Sequence, residues 1–155
     1  LKMWEILPDC SISQDIIVGF PSETEEDHQA TLQLMEQVKF VFGYMYKYSE
    51  RPGTMAARKF EDDVPEATKK RRLTEIVDAQ RSHSAFRTQQ FLGKTTKVLV
   101  EKESKKNPNQ WSGRNEQSIV VVFPKENYKP GDFVNVKIND CTSATLIGNA
   151  VVSSE

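Results

Sequence analysis

The chain has 155 residues, 28% of them charged and 37% apolar, with 21 basic against 22 acidic side chains and a net charge of −1. That length holds one domain or two small ones, and the near-neutral balance excludes a polybasic nucleic-acid or membrane-surface protein. Two cysteines, Cys10 and Cys141, lie far apart and outside any CxxC spacing, which excludes a disulfide framework or a cysteine metal site and points to a reducing, cytoplasmic setting.

No apolar run reaches the roughly 18 residues that span a bilayer, so no membrane contact is expected. The charge divides mildly, with 12 basic against 15 acidic residues over 1–92 and 9 against 7 over 93–155. Residues Leu1 to Leu7 form an apolar helical phrase with no start Met and no N-cap, stopped at Pro8-Asp9. They read as the tail of a helix in a piece of a longer protein.

The stretch Asp15-Ile-Ile-Val-Gly-Phe-Pro-Ser-Glu-Thr24 then reads as a buried strand turning sharply into a helix. Ser22 with Glu25, and Thr24 with Asp27, both have capping-box spacing, and the acidic residues after them suit a helix N-terminus. Ligands of α/β folds bind at the carboxyl ends of strands, so the turn at Gly19 is the first place to look for function; an ordinary strand–loop–helix connection is the alternative.

Ala30, Leu34, Met35 and Val38 place one apolar face on a helix from about Glu25 to Lys39. Phe42 to Tyr48 alternate as a half-buried strand, with Tyr44, Tyr46 and Tyr48 on one face. Sheet packing is the expected use of that row, and base stacking the alternative. Ser49-Glu-Arg-Pro-Gly53 ends the strand in a loop, completing a βαβ unit. Asp63 and Pro65 then open a long helix that ends near Gly93. Its run Lys69-Lys-Arg-Arg72 reads as a solvated turn or, alternatively, as an RNA-backbone contact. His28 and His83 have no ligand-spaced partners and read as surface or packing residues.

Beyond Gly93 the pattern changes to short strands, at Lys97 to Glu103, Ser118 to Phe123, Phe133 to Ile138 and around Ala144 to Val151. Asn107-Pro-Asn, Ser112-Gly-Arg-Asn and Lys129-Pro-Gly-Asp132 read as the turns between them, and Gly148-Asn149 as a turn or bulge. Four or five such strands imply a small OB-like β-barrel, of a kind that often binds nucleic acid on a strand face flanked by loops. The candidate groups are Lys105, Lys106, Arg114, Asn115 and Lys137, with the hydroxyls of Thr142, Ser143 and Thr145.

Several phrases agree, in order, with one family. They are Pro8-Asp-Cys-Ser-Ile-Ser-Gln-Asp-Ile-Ile-Val-Gly-Phe-Pro-Ser-Glu-Thr-Glu-Glu-Asp27, Tyr48-Ser-Glu-Arg-Pro-Gly-Thr54, Asp62-Asp-Val-Pro-Glu66, Arg71-Arg-Leu-Thr-Glu75, Gly113-Arg-Asn115, Pro130-Gly-Asp-Phe-Val-Asn-Val136 and Thr142-Ser-Ala-Thr-Leu-Ile-Gly148. Over essentially its whole length the chain resembles the carboxyl-terminal part of radical SAM methylthiotransferases, in their tRNA-modifying branch.

The resemblance implies α/β plus all-β architecture: residues 1–60 as the end of a radical SAM partial TIM barrel, 61–92 as a linker helix and 93–155 as a TRAM β-barrel. It implies an intact monomeric enzyme using S-adenosylmethionine and two 4Fe-4S clusters, whose cysteine ligands lie outside this sequence, so that catalysis by this chain alone is not expected. The implied substrate is isopentenyl-adenosine in the tRNA anticodon stem-loop. Asp15, Ile17, Gly19, Tyr48 and Ser49 would meet S-adenosylmethionine, with Gly19 letting the backbone come close. Arg51 would reach substrate or cofactor, and Lys105, Lys106, Arg114, Lys137 and Thr142 would meet RNA. Gln14 stands where the family more often has Thr or Ser. The rival readings are a methylthiotransferase acting on a ribosomal protein and a stand-alone RNA-binding module. A raw sheet edge in the βαβ unit also leaves self-association open.

Overall fold

The computed structural model describes residues 2–151. Its elements run α1 (Lys2–Ile6), β1 (Ser13–Val18), α2 (Glu25–Val38), β2 (Phe42–Lys47), α3 (Met55–Lys59), α4 (Glu66–Gln89), β3 (Thr95–Glu103), β4 (Gln110–Asn115), β5 (Val120–Pro124), β6 (Phe133–Cys141) and β7 (Thr145–Ala150). They divide into two compact units, Ile12–His83 and the rest of the described chain.

In the first unit β1 and β2 pair in parallel, Ser13 opposite Phe42 through Val18 opposite Lys47. Thr24 caps α2: its hydroxyl accepts from the Asp27 amide, and the Asp27 carboxylate accepts from the Thr24 amide. The Ser22/Glu25 alternative does not form, because Ser22 lies in the left-handed region at φ 70°. Val18, Met35 and Ile76 are fully buried, with Ile16, Leu32, Phe40, Met45 and Leu73 against them. Each such burial contributes about 1.5–3 kcal/mol. Both α2 and α4 therefore supply this core, and α4 is a packed layer of the unit through His83.

The opposite side of the sheet carries the alternate residues. Ile17, Tyr44 and Tyr46 are 55%, 61% and 56% exposed, so Tyr44 and Tyr46 do not pack inside this unit as expected. The tyrosine row breaks at Tyr48, which is buried and meets the Phe20 ring edge-on at 5.1 Å. Sheet and two helices thus leave one face bare, because helical crossovers cover only the face they return to.

The second unit is a closed five-stranded barrel of order β3-β4-β5-β7-β6. All pairs are antiparallel except β5 with β7, the topology of an OB-like barrel. Val98, Val100, Val121, Phe123, Val134, Val136, Ile138 and Leu146 alternate inward as its core. The Ser112-Gly-Arg-Asn115 cluster is strand β4, contrary to the turn its composition suggests, and Gly148 sits within β7. A Cβ at Gly113 would lie 2.1 Å from the Leu99 carbonyl oxygen, and one at Gly148 equally close to that of Lys137. These glycines permit backbone approach between curved strands. The segment before β1 joins this unit, where the Ser11 hydroxyl donates to the Gln117 carbonyl at 2.8 Å.

Candidate cofactor cleft and nucleic-acid interface

The carboxyl ends of β1 and β2 open onto a cleft lined by Ile17, Phe20, Tyr46, Tyr48, Ser49 and Arg51. Four of the residues singled out from sequence, Ile17, Tyr48, Ser49 and Arg51, meet there. The ladder continues past the strand end, with the Tyr48 amide donating to the Val18 carbonyl at 2.8 Å. The Tyr48 hydroxyl is buried without a hydrogen-bond partner among the described residues, so what the ring brings to the cleft border is apolar surface. Asp15 stands opposite Tyr44 on the same sheet face, one side-chain pair below Ile17 and outside the cleft lining.

Gly19 lies against α4. Its φ is 69°, and the place of a Cβ lies 2.4 Å from the Lys69 Cγ. The missing side chain therefore makes room for Lys69 of α4. The Gly19 amide donates to the Glu23 carboxylate at 2.6 Å.

The basic run of α4 divides: Lys70 and Arg71 are exposed, as a solvated turn would have them, and the other two are not. Lys69 and Arg72 are 3% and 4% exposed. Lys69 holds both oxygens of Asp62 at 2.5 and 2.6 Å, while Arg72 holds the Glu23 carboxylate at 2.7 Å and the Glu23 carbonyl at 3.0 Å. Arg71 pairs with Glu25 and Glu75, at 2.6 and 2.7 Å. Close pairing with carboxylates makes the burial of Lys69 and Arg72 tolerable, since isolated buried charges are costly. Asp63 does not cap α4; its carboxylate accepts the Ser22 amide at 2.7 Å, and the Pro65 carbonyl takes the first helical bond, from Lys69.

Both histidines are buried between α2 and α4, His28 on Glu75 at 2.6 Å and His83 on Glu36 at 2.8 Å. These contacts depress the carboxylates. Arg71, then Gln29, draws Glu25 down to about 2; Arg71 and then His28 lower Glu75; Lys39 and then His83 lower Glu36.

On the barrel, a groove crosses the outer faces of β4, β5 and β7. Its floor is apolar, formed by Val120, Val122 and Ile147, where strand alternation would ordinarily place polar residues. Lys105 and Lys106 of the β3–β4 loop stand on one rim with Lys102, and Thr142 of the β6–β7 turn stands on the other. The Thr142 hydroxyl accepts from the Ala144 and Thr145 amides and shapes that turn. The one acidic group in the lining, Glu103, is ion-paired to Lys125.

Lys105, Lys106 and Thr142 are therefore brought together. Arg114, opposite Val120 in the register, lies beside the groove and is engaged by Glu101 at 3.6 Å and the Ser118 carbonyl at 3.0 Å. Lys137 is on β6 opposite Asn149 and outside the lining. Asn115 is buried and its side-chain oxygen accepts the amides of Gln117 and Ile119, a structural role. Sequence reasoning missed Lys102 and the floor; the doubled apolar pattern Val120-Val-Val-Phe123 was the signal available. In OB-like barrels, the face of the second and third strands between the first and last connecting loops is where oligonucleotides lie, and here those are β4, β5 and the two rim loops.

The class this fold defines is an OB-like β-barrel joined to an α/β unit, and residues 89–151 match the TRAM domain family. The chain as a whole is similar to tRNA-2-methylthio-N(6)-dimethylallyladenosine synthases. It is 67% identical over 150 residues to that of Flavobacterium johnsoniae, covering 97% of this chain and 31% of the relative. With that of Christiangramia forsetii it shares 64% over 151 residues, 97% of this chain and 31% of the relative. With that of Bacteroides thetaiotaomicron it shares 51% over 146 residues, 94% and 32%. The resemblance to methylthiotransferases read from the sequence phrases is thereby borne out, and the chain spans about a third of the length of the curated relatives it matches. Among the described residues, no helix is long and apolar enough to cross a membrane, and no three His, Cys, Asp or Glu side chains gather to hold a metal ion.

Proposed function

We propose that this chain supplies the tRNA-binding barrel and part of the cofactor cleft of a cytoplasmic tRNA methylthiotransferase that modifies isopentenyl-adenosine in the anticodon stem-loop. The similarity to tRNA-2-methylthio-N(6)-dimethylallyladenosine synthases supports the tRNA branch over the ribosomal-protein one. When bound, S-adenosylmethionine and two 4Fe-4S clusters supply the radical and sulfur chemistry that exchanges a carbon-bound hydrogen for a methylthio group. This chain contributes position. Ile17 gives an apolar wall, the Tyr48 ring and Ser49 border the strand ends, Gly19 gives the turn that shapes the end of β1, and Asp15, outside the cleft lining, would meet only a hydroxyl that extends beyond it. Arg51 stands where an anionic part of substrate or cofactor would reach.

The observation that carries the RNA half of the reading is the barrel groove. Lys102, Lys105 and Lys106 have no carboxylate partner among the described residues, and they border an apolar floor. Such a groove takes a backbone phosphate on the lysines and a ribose or base on the aliphatic surface. Arg114 and Lys137 extend the positive surface on either side of it.

A salt titration of binding to an anticodon stem-loop, with and without isopentenyl-adenosine, tests this. Binding to both that weakens steeply with salt is expected, because counterion release dominates phosphate contacts. Absence of binding at low salt would remove the groove as the RNA site.

A further inference from the structure

The turn between β1 and α2 is held from outside itself to an unusual degree. It contains two left-handed residues, Gly19 and Ser22, at φ 69° and 70°. For serine that conformation is strained by about 1 kcal/mol or more, and persists only where neighbours fix it. Those from outside the turn lie in residues 62–72. The Asp63 carboxylate accepts from the Ser22 amide, Arg72 donates to both the carboxylate and the carbonyl of Glu23, and the Glu23 carboxylate in turn accepts from the Gly19 amide. Lys69 lies across Gly19 and brings its ammonium 5.3 Å from the Tyr48 ring centroid, with Asp62 balancing its charge. One buried lysine thus touches the ends of both strands that border the cleft.

We infer that the first turns of α4 are a clamp that positions the cleft, with Glu23, Asp63, Lys69 and Arg72 as positioning residues for the adenosyl cofactor. The inference rests on the reading that Ile17 and its neighbours meet S-adenosylmethionine. Two facts separate a clamp from ordinary packing. Buried charges are a poor way to gain stability compared with apolar residues of similar volume, yet here they are spent on one turn. The hydrogen bonds of Glu23, Asp63 and Arg72 also end on two backbone amides and a carbonyl of that turn, groups whose direction sets where the strand end points.

The test uses the full-length enzyme and measures KM for S-adenosylmethionine, KM for tRNA and thermal unfolding. Glu23→Ala frees the Gly19 amide and is expected to raise KM for S-adenosylmethionine about tenfold while KM for tRNA holds. Glu23→Gln keeps an acceptor for that amide and is expected to return KM to within about twofold of the parent. Asp63→Ala, at an exposed position, is expected to give an intermediate rise and serves if Glu23→Ala fails to fold. The clamp is overturned if folded Glu23→Ala or, in its place, Asp63→Ala binds the cofactor like the parent while Ile17→Ala binds it weakly. If Ile17→Ala also binds like the parent, the cofactor reading of the cleft itself falls.

Discussion

Two clusters of cations in this molecule have opposite fates. Lys69 and Arg72 are buried in the α/β unit and matched to Asp62 and Glu23. Lys105 and Lys106, in a connecting loop of the barrel, stand at the rim of a groove with no carboxylate partner among the described residues. A run of four basic residues would be ranked above a pair as a nucleic-acid contact on charge alone. The comparison teaches that unspent charge, rather than its local density, marks a binding surface. A cation already neutralised at close range has little left to offer a phosphate.

Removing charge from each cluster should therefore do different things. Arg72→Met strands the Glu23 carboxylate, which is itself largely buried, and is expected to cost about 3–5 kcal/mol. Hydrogen exchange should show the loss in residues 12–83 and leave the barrel strands protected. The barrel has its own weak point in geometry. Gly148→Val puts a side chain against the Lys137 carbonyl, and urea unfolding followed by Trp111 fluorescence should register a cost of about 1–3 kcal/mol.

Acid sharpens the contrast more gently. Folding lowers the pKa of Glu25, Glu36 and Glu75, so their contribution is complete above the ordinary carboxylate value of 4.5 and is lost as pH falls toward the folded values, about 2 for Glu25. Between those limits the helix–helix ion pairs of the α/β unit should loosen before the barrel does, as read by exchange protection at pH 4 and pH 3. The smallest effect on stability belongs to the groove. A Lys105→Ala/Lys106→Ala pair should change unfolding free energy by no more than about 0.5 kcal/mol. It should nonetheless lower the slope of log affinity against log salt by about 1.4–1.8 for two phosphate contacts. An unchanged slope would mean that these lysines do not meet RNA.

Much of this architecture was legible. Thr24 with Asp27 and the apolar face through Met35 and Val38 announce α2, and the short Val/Ile-rich runs after Gly93 announce an OB-like barrel. Ile17, Tyr48, Ser49 and Arg51 were singled out from sequence and do share a cleft, as Lys105, Lys106 and Thr142 share a groove. Strand β4 was not legible, because Ser112-Gly-Arg-Asn115 has the composition of a turn, and only the Leu99 backbone lying against Gly113 explains the glycine. Nor was the packing of α4, whose apolar positions are sparse and whose buried face is completed by Lys69, Arg72 and His83.

Local order along the chain determined the elements, since capping, turn chemistry and alternation act over a few residues. The tertiary structure alone decided which charges are spent and which remain. Glu23 is 49 residues from Arg72, and Gly19 is shaped by a lysine four elements further on. No pattern within a window of sequence records such a partner, because burial of a charge depends on where the opposite charge arrives once the chain has folded.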